Sequence, residues 1–190
     1  MSDIVLQATS TAQWHALVRE AEKRSKQALG EEVESYLVFL LQRFLSRSEI
    51  ASAILAKDYL KGLATSGKRQ YDKLRDVGDI CLLHAGFFPR RARRRRVNVS
   101  YYIDLGISAY YQLQQNRHNQ QGRLFAHLSQ CFVPAMDVLQ AMQTPRDQEP
   151  LLDAISAHEL WEHSGSKQAT QHLRSISQGT PFKNPRSTRH

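Results

Sequence analysis

Between Glu31 and Ser46 the apolar residues Val33, Tyr36, Leu37, Leu40, Leu41 and Phe44 recur at steps of three and four. That spacing places them on one face of an α-helix, and a stripe so broad must be covered by other elements. The same period runs through most of the chain. Trp14, Leu17, Val18 and Ala21 predict a helix over 12–29, ended by Gly30. Ser48 suits the N-cap of a helix over 49–64, and Gly67 separates it from another over 68–85, stopped by Gly86 and Pro89. Further helices are expected over 101–115, 124–143, 151–162 and 166–177. Pro134 should kink or divide the second of these, and Gly106 and Ala109 should let a neighbouring helix come close to the first. Only Val97–Ile103 shows any period-two alternation, enough for an extended entry to a helix. The expectation is an all-α, single-domain bundle of six to eight helices over 1–177. A disordered basic tail follows over 178–190, where Gly179, Pro181 and Pro185 interrupt a stretch without apolar periodicity.

The charge is unevenly placed. The net charge is +8, but six arginines fall within Arg90–Arg96, interrupted only by Ala92. Five more cations and no acid lie between His163 and the C-terminus, so the remainder of the chain carries about −3. A mildly acidic body therefore bears a basic loop and a basic tail. The apolar windows Tyr36–Leu45 and Ile80–Phe88 are too short to span a bilayer. The first residues lack the basic and apolar regions of a signal peptide, and Cys81 and Cys131 have neither disulfide-framework nor zinc spacing. These features predict a cytoplasmic protein.

Arg90, Arg91, Arg93, Arg94, Arg95 and Arg96 form the foremost candidate site, for an anionic partner, because guanidinium groups grip phosphates and carboxylates in bidentate fashion. Phe87 and Phe88 are expected to anchor this loop to the core. Asp79 and Asp104, each set between apolar residues, are expected to be buried acids clamping the loop through one of its arginines; Asp76 is a further internal partner for the run. Tyr101, Tyr102, Tyr110 and Tyr111 follow the loop, where aromatics either stack bases or fill a core, and helical spacing favours the core.

Catalytic signatures are missing from the sequence. His158-Glu159-Leu160-Trp161-Glu162-His163 separates its histidines by five, not the four that puts two zinc ligands on one face, so surface ion pairing is the expected use. Cys81 with His84 reads as a buried structural thiol. No phosphate-binding glycine loop or nucleophile elbow occurs, and no cofactor or metal is expected.

The block from Leu74 to Tyr111 carries Gly78-Asp79, Gly86-Phe87-Phe88-Pro89, a basic stretch and Tyr101-Tyr102-Ile103-Asp104-x-Gly106-x-x-Ala109-Tyr110. It resembles a pattern in a family of uncharacterised bacterial helical proteins; the resemblance implies a bacterial source and no particular activity. The functional expectation is a non-enzymatic adaptor or regulator presenting the arginine loop to an acidic partner protein. The alternative is a regulator that binds RNA or DNA through the loop and tail. A pocket enzyme using Asp79, Asp104, His84 and nearby tyrosines is the third class.

Overall fold

A computed structural model describes residues 10–46, 55–89, 97–115, 120–143 and 152–177. The arginine run, the proposed Ser48 cap and the tail over 178–190 lie outside the described residues. Within them the chain is all-helical: α1 (Ser10–Ser25), α2 (Glu31–Ser46), α3 (Leu55–Leu63), α4 (Gly67–Gly86), α5 (Val99–Gln115), α6 (Gln120–Gln130), α7 (Phe132–Met142), α8 (Ala154–Ser164) and α9 (Lys167–Ser177). The helix α2 has the bounds that its apolar stripe predicts. The nine helices among the described residues exceed the expected number because the segment over 124–143 is divided. The break falls at Cys131, leaving Pro134 in the first turn of α7, where its missing N–H is not needed.

The longest helix, α4, is the axis of the bundle. It packs along α5 and also against α3 and α7, while α1 lies across α2 and α7, and α8 and α9 pack on each other at the α5–α7 side. One continuous core results, with Leu37, Leu74, Leu82, Ile103, Phe125, Phe132 and Met136 fully buried.

Two glycines set the spacing of the central pair. A Cβ on Gly78 would stand 2.4 Å from the Tyr110 ring, and one on Gly106 would stand 2.4 Å from Phe132 and 2.9 Å from Cys81. The close approach expected at Gly106 is therefore present, and Gly78 creates a second one from the facing helix.

A buried acid ties the outer helices together. Asp137 on α7 accepts hydrogen bonds from Gln27 Nε2 at 2.8 Å, Ser166 Oγ at 2.5 Å and the Lys167 N–H at 2.8 Å. It thus joins the α1–α2 connection to the N-terminus of α9, where a carboxylate is also favoured by the helix dipole. Burial raises the pKa of Asp137, and these donors oppose the shift. Just before this junction, Gly165 adopts φ 68° and closes α8 in the left-handed conformation that favours glycine.

Replacing Gly78 by alanine drives a methyl group into the Tyr110 ring, which is fully buried and has no room to retreat. Gly78→Ala is expected to destabilise the fold by roughly 1–3 kcal/mol despite the better helix propensity of alanine. Urea denaturation with an unchanged m-value would record it; a stabilised variant would contradict the packing described.

Candidate functional site

Tyr36 and Arg43 stand seven residues apart on α2, and therefore on one face of it. Both reach to Asp79 on α4. The Tyr36 hydroxyl donates to Asp79 Oδ1 at 2.6 Å, the Tyr110 hydroxyl of α5 donates to the same oxygen at 2.9 Å, and Arg43 Nη1 donates to Oδ2 at 2.9 Å. The second arm of Arg43 holds Asp76, which also lies 3.4 Å from Arg75 Nη2. Asp79 is only 4% exposed, so burial raises its carboxyl pKa to about 6 while the two tyrosines and Arg43 pull it down. Both tyrosines are raised well above their ordinary range by burial and by Asp79, which keeps them protonated as donors.

A pocket of about 70 Å³ opens beside this cluster, walled by Leu40, Phe44, Ile80 and Leu83 and floored by Arg43, Asp76 and Asp79. It has room for ordered water and is several times smaller than the roughly 300 Å³ at which substrate clefts begin. The arrangement is equipped to hold a proton or a few waters on Asp79, in a seam between helices.

The expected site residues are not gathered in one place. Phe87 and Phe88 are half-buried: Phe87 packs against the core, and the Phe88 ring lies 5.5 Å from Phe44, at the pocket wall, and 6.2 Å from His84. Both therefore fix the chain just before the arginine run. Asp79 is buried as expected, and among the described residues the cation it meets is Arg43 from α2. Asp104 is not buried. Its side chain is 64% exposed and lies 2.9 Å from His163 Nε2. The apolar neighbours Ile103 and Leu105 misled the reading, because adjacent residues on a helix point about 100° apart. The six arginines lie outside the described residues, and nothing is placed for them.

The tyrosine pairs divide. Tyr102 and Tyr110 are in the core, whereas Tyr101 and Tyr111 are exposed. His84 is buried and stacks on Tyr102 with ring centroids 5.0 Å apart, and burial pushes the Cys81 thiol up, away from the reactive range. Of the histidines and acids of α8, His163 pairs with Asp104 of α5 at the surface, and Glu159 accepts from the amide of Asn98 at 3.2 Å. Among the described residues no group of three metal-ligating side chains comes together.

Sequence reasoning missed Arg43 as the partner of Asp79. The signal was present, since a cation on the core face of a helix with a broad apolar stripe requires an acid opposite it. Asp137, inside Val133-Pro134-Ala135-Met136-Asp137-Val138, carried the same embedded-acid pattern as Asp79. Comparison with family models, with curated proteins and with solved structures finds no match.

Two measurements test this cluster. Arg43→Met leaves Asp79 buried with hydroxyl donors alone and is expected to cost roughly 3–5 kcal/mol of stability. The raised Asp79 pKa means that the folded chain binds this proton more tightly than the unfolded one, whose carboxyl titrates near 3.8. The resulting stabilisation is complete below that value and is lost as pH rises through about 6. The melting temperature of the wild type relative to Asp79→Asn should therefore fall between these two pH values. A difference that rises over that interval would reverse the assigned sign.

Proposed function

We propose that this protein is a non-enzymatic adaptor or regulator whose helical body presents Arg90–Arg96 to an acidic partner protein. One observation carries the reading. The three acids that sequence offers as internal partners for the arginines are engaged elsewhere: Asp76 and Asp79 by Arg43, and Asp104 by His163. Six guanidinium groups in seven residues suit an acidic partner surface. The flanks give further support, because Phe88 is held on Phe44 before the run and Val99 is buried just after it. Guanidinium pairs with carboxylates specify orientation as well as strength. The two free cysteines, Cys81 buried and Cys131 half-buried, fit a reducing cytosol, in line with a bacterial cytoplasmic setting.

Replacing all six arginines by glutamine and comparing affinity purifications with and without nuclease tests the reading. The expected result is a set of acidic proteins retained by the wild type after nuclease and lost from the variant. Partners that survive the substitution would overturn it, and capture abolished by nuclease would transfer the run to RNA or DNA.

A further inference from the structure

The most unusual surface among the described residues lies on α3 and the start of α4. Exposed positions between Ala56 and Arg69 carry four cations, Lys57, Lys61, Lys68 and Arg69, and no acid, although the chain as a whole holds 18 acids. Asp58, the acid of α3, is partly covered. Amid these cations stand Leu60, 64% exposed, and Leu63, 40% exposed. On a helix, Ala56, Leu60 and Leu63 share one side, with Lys57 and Lys61 beside them. Packing explains why the leucines are outside: Leu55 and Gly62 face inward, and a Cβ on Gly62 would stand 2.9 Å from Leu74, so α3 is seated closely on α4 by its other face. Tyr101, 38% exposed, extends the apolar strip, since its hydroxyl meets the backbone of Ala56.

The combination selects among anionic partners. Nucleic-acid phosphates would satisfy the cations but leave both leucines in water. An acidic protein would need a groove shaped to receive the crest of a helix. A bilayer surface receives a convex apolar crest without a shaped receptor, while lysines extend along it to lipid phosphates. We propose that α3, with the first turn of α4, docks the protein on a membrane rich in anionic lipid. Leu60 and Leu63 enter the boundary between headgroups and acyl chains, and Lys57, Lys61, Lys68 and Arg69 meet the phosphates. The docking is peripheral, for no helix of the described residues is long and apolar enough to cross a membrane. The proposal does not rest on the adaptor reading.

Sedimentation of the full chain with vesicles tests the proposal. The lipids are phosphatidylcholine alone, or phosphatidylcholine with about 30% phosphatidylglycerol, at about 0.1 M salt. Binding to the anionic vesicles only is expected. Leu60→Ser with Leu63→Ser should weaken it at least tenfold, roughly the loss expected when two leucines no longer leave water. Lys57→Gln with Lys61→Gln should weaken it and flatten its salt dependence. All four positions are exposed, so circular dichroism should show the fold unchanged. In a chain whose six arginines are replaced by glutamine, the leucine-dependent part of the binding should persist. No binding to anionic vesicles, equal binding to neutral ones, or a serine variant that binds like the wild type would each overturn the proposal. So would leucine-dependent binding of soluble polyglutamate, without vesicles, by the chain that lacks the six arginines, which would assign the face to an acidic protein.

Discussion

The contact on which the central packing depends is the shared carboxylate of Asp79. A buried acid is costly unless several donors surround it, and here they come from two other helices: Tyr36 and Arg43 from α2, Tyr110 from α5. Each donor must arrive in a fixed orientation, so the acid sets the angle and register of three helices at once. Apolar packing alone is more permissive, since leucines tolerate sliding that a hydrogen bond does not. Gly78, the residue just before Asp79, completes the arrangement by leaving space for the ring whose hydroxyl reaches that acid. Glycine and aspartate are thus two halves of one contact.

The same economy accounts for much of the block from Leu74 to Tyr111. Gly86 admits Leu139 against the end of α4, Gly106 admits Phe132, and Tyr102 stacks on His84. These residues invite a catalytic interpretation in sequence because they mix acids, a histidine, a thiol and tyrosines. In the fold they hold helices together, and the pocket beside them has room for water. Asp137 repeats the device on the other side of the bundle, where one carboxylate fastens the turn after α1 and the start of α9. Among the described residues, the exposed positions of α3 and the start of α4 carry cations and no acid.

The sequence by itself determined the helical class, the bounds of α2, the division of the segment over 124–143 and the burial of Asp79, because all of these follow from local periodicity, proline chemistry and the cost of an acid among apolar residues. Only the tertiary structure decided which cation Asp79 meets, that Asp104 faces solvent beside His163, and that Leu60 and Leu63 stand outside while Leu55 and Gly62 face the core. The physical reason is common to the three. Periodicity specifies which residues share a face of a helix, but the facing element is chosen by packing between segments distant in the chain, and 36 residues separate Arg43 from the acid it holds.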